Sequence, residues 1–224
     1  MKKERSKIII DLIRNNIDVL QALQSLDLML EDINDKEIKD WVNKELNGYD
    51  VKDKIPKYRC VTCVLKGDIQ IGYNIYYDMV IPLTDKKLSE KCNNYQIIEP
   101  ISIVKQYSIA ENEIKNHSLS IDTNVSVVDQ YSATSGEVIR AHRELSMYSF
   151  NNVLSIIKDK LLKIFKLLED NYGNLDNLYI DFSDKEKEKK SINQIFKIIY
   201  NDNSKKIGDN NIIKGSVIGD ENEN

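Results

Sequence analysis

Two histidines and three cysteines are where nucleophilic or metal chemistry would have to begin in this chain. Cys60-Val61-Thr62-Cys63 has the C-x-x-C spacing, but a structural zinc site needs a second pair or two suitably spaced histidines, and only Cys92, His117 and His142 remain. In a strand, Cys60 and Cys63 point to opposite faces and cannot share an ion. A thioredoxin-like pair belongs at a helix N-terminus, which Val61 and Val64 disfavour. We therefore expect ordinary strand cysteines, no bound metal and no cofactor. His142 stands in Arg140-Ala141-His142-Arg143-Glu144. A cluster of Arg140, His142, Arg143 and Glu144 is the candidate catalytic set, able to hold a phosphate or move a proton; a solvated strand face is the plainer reading. Glu113-Ile114-Lys115 is half of a nuclease-type E-x-K with no partner aspartate in view. Neither phosphate-binding glycine motif occurs, and no serine sits in a glycine-flanked elbow. Tyr73, Tyr76 and Tyr77 could stack on bases; packing against helices is their default.

The elements that must position these residues follow from periodicity. The dominant one is Ser149 to Gly173, a long amphipathic helix with Phe150, Val153, Leu154, Ile157, Leu161, Ile164, Phe165, Leu168 and Tyr172 on one face. Lys158, Lys160, Lys163, Lys166, Glu169 and Asp170 are expected on its wet side, with Ser149 as N-cap and Gly173 as the stop. Residues 4 to 30 read as one helix, broken at Asp32 to Asp35. A second helix, capped by Asn34 with Glu37 completing a capping box, ends at Gly48. The pair should form a helix hairpin. Lys57 to Lys66 and Ile69 to Leu83 have strand composition, and Gly67-Asp68 between them reads as the turn of a β-hairpin. Short helices are expected at Thr84 to Cys92, after Ser102 and after Asn124. A brief strand is expected at His117 to Ile121. Glu137 to Met147 reads as a strand with Ile139, Ala141, Leu145 and Met147 on one side and Arg140, His142, Glu144 and Tyr148 on the other. A last helix follows Lys185. The fold class is α+β: an N-terminal helix hairpin and a long C-terminal helix packed on a small, mainly antiparallel sheet.

Residues 1–200 form the expected domain. Residues 201–224 differ: six of these 24 are Asn and three of the chain's eight Gly are here, so they bury little apolar surface. They read as a disordered tail or as a segment that pairs between copies to form a homo-oligomer. At 41% apolar, 30% charged and a net charge of −4, the composition is globular and argues against a broad basic nucleic-acid surface. No run approaches the roughly 18 apolar residues of a membrane span. Met1 to Lys7 is charged and is not followed by a signal-peptide core, so a cytoplasmic protein is expected.

Several stretches resemble the AbiTii domain. They are Trp41-Val42-Asn43-Lys44-Glu45-Leu46-Asn47-Gly48-Tyr49, Ile55-Pro56-Lys57-Tyr58-Arg59, Met79-Val80-Ile81-Pro82-Leu83, and Leu168-Glu169-Asp170-Asn171-Tyr172-Gly173-Asn174-Leu175-Asp176. The basic residues usual in the family's long helix are matched in part by Lys158, Lys160 and Lys163. The resemblance implies a bacterial abortive-infection component acting against phage, with a protein partner or a phage-derived trigger, and it implies no catalytic set. The residues themselves leave two readings: a component that works by protein or ligand binding, or a growth-arresting enzyme such as a nuclease or nucleotide hydrolase. For the first motif the physical expectation is structural: Gly48 stops the helix, Trp41 and Leu46 plug it onto the sheet, Tyr49 and Tyr58 pack at the junction, and Glu45 and Asn47 bond backbone groups. Trp41, Glu45, Asn47 and Tyr49 are also the candidate binding residues.

Overall fold

A computed structural model describes residues 4–110 and 118–200. The expected first helix is two helices, α1 (Lys7–Arg14) and α2 (Val19–Met29). The break has a local cause. Asn15 adopts a left-handed φ of 60° that ends α1. Asp18 then restarts the chain with a full capping box: the Gln21 N–H donates to the Asp18 carboxylate (2.9 Å), and the Gln21 side-chain oxygen accepts from the Asp18 N–H (3.0 Å). The next helix, α3 (Lys36–Asn47), is capped by Asp35, whose carboxylate accepts from the Ile38 N–H at 2.9 Å. Asn34, the expected cap, instead gives its N–H to Glu188 at 2.8 Å, which ties this turn to the last helix.

After a 3-10 turn at Lys57–Arg59 comes β1 (Cys60–Ile71), a single twelve-residue strand. Gly67-Asp68 is not a turn. The hairpin turns at Gly72, with φ of 60°, before β2 (Asn74–Val80). Gly67 has another purpose: a Cβ there would lie 1.9 Å from the Arg140 carbonyl oxygen, so only glycine lets the two strands approach. The order continues α4 (Lys86–Cys92), β3 (Asn94–Gln96), α5 (Ile101–Ala110), β4 (Ser118–Asp122), α6 (Val125–Tyr131), β5 (Glu137–Ser146), α7 (Tyr148–Tyr172) and α8 (Lys185–Tyr200). Asn124 caps α6 as expected, accepting from the Val127 N–H at 3.2 Å. The long helix starts after Met147 rather than Ser149, and Gly173, with φ of 98°, ends it. Residues 201–224, His117, Glu113 and Lys115 lie outside the described residues.

The sheet is antiparallel, in the order β2-β1-β5-β4, with β3 paired to the first residues of β1. β1 alternates strictly. Val61, Cys63, Leu65 and Ile69 are buried on one face, while Thr62, Val64, Lys66, Asp68 and Gln70 look out on the other. All the apolar weight sits behind the buried face. The Val61 end meets the main core of α1, α2, α3, α5, α7 and α8; the Leu65–Ile69 end meets a smaller core with Ile81, Cys92, Val128, Val138 and Ala141. α7 is the centre of the helical layer, with Val153, Ile157, Leu161, Ile164, Phe165 and Leu168 fully buried. At about 1.5–3 kcal/mol for each large apolar side chain removed from water, this face dominates the folding energy. This is the α+β architecture that the periodicity implies.

Two side chains expected on the wet side of α7 are instead buried, because each binds orphan backbone groups of a neighbouring element. Lys160 donates to the Ile198 and Ile199 carbonyls, both at 2.9 Å, at the C-terminal end of α8. Glu169 accepts from the Ser6 N–H at 2.5 Å and pairs with Arg5, latching the start of α1 to the end of α7. Burial would raise the Glu169 pKa, but the Ser6 hydrogen bonds and Arg5 outweigh it and hold the carboxyl below its ordinary 4.5. The latch is therefore complete above about pH 4.5 and is lost as pH falls through the lower folded-state value. Urea unfolding of Glu169→Gln should show a flatter decline of stability below that pH than the parent chain. An identical acid limb would mean that Glu169 has no part in it.

Candidate functional site

The first motif is a buried lock. The Glu45 and Arg59 side chains are both fully inaccessible. Arg59 Nη2 donates to Glu45 Oε2 at 2.6 Å and Nε at 3.2 Å. Its Nη1 donates to the Ile97 and Glu99 carbonyls at 2.9 and 2.8 Å. The Tyr49 and Tyr58 hydroxyls each donate to Glu45 Oε1 at 2.6 Å, and Trp41 Nε1 donates to the Tyr58 hydroxyl at 2.9 Å. Burial would lower the Arg59 pKa, yet the Glu45 charge raises it; burial and the same charge push both tyrosines up. Every polar atom of the carboxylate is thus engaged, as a buried charge requires. Glu45 binds side chains, not the turn backbone that the sequence suggests, and Asn47 lies on the exposed flank of α3, donating to Asn43 at 2.7 Å. Arg59 is the member that sequence reasoning missed; its place beside Tyr58 in the second AbiTii-like stretch is the signal that could have found it.

Beside this lock lies a cleft of about 450 Å³ between α3, the loop before β1 and the end of α8. Trp41, Tyr49, Tyr58, Phe196 and Tyr200 supply aromatic walls, and Lys44 on its rim is held by Asp40 (2.6 Å) and Asp53 (2.9 Å). Of the candidate binding residues, Trp41 and Tyr49 line the cleft, Glu45 lies beneath it and Asn47 is outside it. Among the described residues the lining contains no Ser, Cys or His; its titratable groups are Glu37, Asp40, lysines and tyrosines.

The catalytic candidates divide between two faces of the sheet. Register places Arg140 opposite Asp68, His142 opposite Lys66 and Glu144 opposite Val64, all on the open face. Arg143 sits opposite Leu65 on the helical side, with its guanidinium 5.3 Å from the Tyr95 ring centroid. Ile139 is the extra residue of a bulge, since Asp68 pairs with Arg140 and Ile69 with Val138; Val138 takes the inward position expected of Ile139. β2 carries a second bulge, in which Tyr77 and Asp78 face Asp68 alone, and Asp78 takes a φ of 53°. The Asp78 N–H donates to the Asp68 carboxylate at 3.0 Å. These bulges aim side chains from three strands at one point. Lys66 Nζ pairs with Glu144 and lies 3.2 Å from Asp78 Oδ2, while His142 Nε2 lies 3.3 Å from Asp78 Oδ1. The hydrogen bonds to Glu144 and Asp78 raise the Lys66 pKa. Lys66 is hidden in the sequence because Gly67-Asp68 after it reads as a turn, and Asp78 because the β2 bulge breaks the alternation that would reveal it. Cys60 is exposed and Cys63 buried, as opposite faces of a strand require, and burial pushes the Cys63 thiol up.

The fold and these features define an α+β domain with helices on one side of a small antiparallel sheet and an open face of mixed polar and apolar residues on the other. The AbiTii family model matches residues 6–195, and the chain belongs to that family. The family's name places it among abortive-infection proteins, which act in defence against phage. No curated protein and no solved structure gives a significant match. Among the described residues no helix is long and apolar enough to cross a membrane.

Proposed function

We propose that this abortive-infection component works by binding a protein partner, with β2 as the strand that the partner pairs with. The carrying observation is the state of that edge. Every residue of β2 is exposed, among them Ile75, Tyr76, Tyr77, Met79 and Val80, and Tyr77 is 70% exposed. Edge strands are ordinarily blunted by lysine, proline or a bulge; Asn74–Val80 contains neither lysine nor proline, and its bulge at Tyr77–Asp78 leaves Asn74 to Tyr76 as the regular edge. Strand addition uses such an edge for backbone hydrogen bonds and its alternate side chains for specificity. Residues 201–224 belong to the same proposal as a self-association segment: light scattering should give a chain ending at Tyr200 a smaller solution mass than the full chain, and equal masses remove that part.

A second reading, the growth-arresting enzyme, is favoured by one observation, the meeting of His142 and Glu144 with Lys66 and Asp78. One experiment separates the two. In cells carrying the chain with its neighbouring genes, plaque counts are compared for Ile75→Lys with Tyr77→Lys, and for His142→Ala with Glu144→Gln. The binding reading expects protection to be lost in the first pair and kept in the second, with both pairs soluble and folded by circular dichroism. The reverse pattern supports the enzyme.

A further inference from the structure

We propose that Asp78, His142 and Glu144 form a binding site for a divalent transition-metal ion of the zinc or manganese type, seated where the Lys66 ammonium lies. The inference rests on the cluster alone and not on the partner surface of β2. One imidazole nitrogen and one oxygen from each carboxylate all lie within 4.8 Å of one another. Ligands at about 2.1 Å from a shared tetrahedral ion stand about 3.4 Å apart. His142 Nε2 and Asp78 Oδ1, at 3.3 Å, already have that spacing. Glu144, two residues from His142 on β5, offers the third ligand atom within 4.8 Å of the other two.

A second observation is independent of the carboxylates. His142 is only 8% exposed, and its buried Nδ1 has no hydrogen-bond partner among the described residues. Its Nε2, 3.3 Å from Asp78 Oδ1, is the nitrogen turned toward the carboxylates and the one an ion would take. The occupant of the seat also fits: a primary ammonium bridging two carboxylates marks a place of negative potential, and it stands on a flexible four-carbon stem that can swing out. Exchange of one ammonium for a divalent ion turns a site of net charge −1 into a neutral one. The mixed nitrogen and oxygen donors favour zinc or manganese over magnesium and calcium, which prefer all-oxygen sites. Such an ion would link β2 to β5 across β1. The spacing of Cys60, Cys63, Cys92, His117 and His142 along the chain does not suggest this site, because Asp78 and Glu144 join it only through strand register.

The test uses the full chain with zinc or manganese chloride alone. Calorimetric titration should give one ion per chain, and thermal unfolding should shift upward with that ion and at least ten-fold less readily with magnesium. Lys66→Met removes the competing ammonium and should tighten binding about ten-fold. Asp78→Asn, at a side chain 60% exposed, should weaken it at least ten-fold without loss of fold. His142→Ala should do the same, and circular dichroism checks that it folds. The proposal is overturned by no saturable binding to either the parent chain or Lys66→Met, or by equal affinity in a folded Asp78→Asn chain.

Discussion

Arg59→Met should destabilise the chain by about 3–5 kcal/mol in urea unfolding, roughly a fifth or more of the stability of an ordinary domain. The cost does not come from losing a strong attraction. Arg59 and Glu45 are both fully buried, and removal of one leaves the Glu45 carboxylate in the core without its counter-charge. The Ile97 and Glu99 carbonyls lose their donor at the same time. Replacing both partners, with Glu45→Gln and Arg59→Met, should cost less than the sum of the single changes. The glutamine oxygen still accepts from the Tyr49 and Tyr58 hydroxyls, and no charge is left buried. A double-mutant cycle with no coupling between the two would show that the lock does not act as a unit. The aromatic cleft should suffer with the single variant, since Tyr49 and Tyr58 are held by the same carboxylate that Arg59 neutralises.

Gly67→Ala should cost about 3 kcal/mol, the upper end of the range for forcing atoms into a packed interior. A methyl group there meets the Arg140 carbonyl oxygen at 1.9 Å and the Ile81 side chain at 2.7 Å. The first of these is backbone and cannot rotate away, so β1 and β5 must separate. That separation would also spread Lys66 from His142, its direct neighbour across the strands. Gly72 is the control. Its Cβ would meet nothing within 4 Å, but its φ of 60° penalises any side chain, so Gly72→Ala should cost only about 1 kcal/mol. A chain that tolerates Gly67→Ala as well as Gly72→Ala would refute the close-approach reading.

Local rules succeeded where an element carries its own signal. The long helix α7, the stop at Gly48, the cap at Asn124 and the strand character of β1 and β5 are all visible in apolar period and punctuation, since these depend on neighbours within a turn or a strand. The misreadings share one cause. Gly67 looks like a turn residue, but the requirement that selects it lies on Arg140, a distant strand. Lys160 and Glu169 look like solvent-facing charges on the period of α7, yet their partners are the end of α8 and the start of α1. The split between α1 and α2 was legible in Asn15, Asp18 and Gln21, and was hidden by apolar residues that continue on both sides.

The candidate site follows the same division. By itself, the sequence determined an α+β domain, the alternation that puts Arg140, His142 and Glu144 on one face, and an AbiTii motif around Trp41 and Tyr49. Only the tertiary structure decided that Glu45 closes on Arg59, that Arg143 turns to the helical side, and that Lys66 and Asp78 complete the cluster on the open face. The physical reason is range: periodicity and capping are set by contacts a few residues apart, whereas the ion pairs and the shared ligand seat depend on packing, strand register and bulges between segments from 14 to 164 residues apart in the chain.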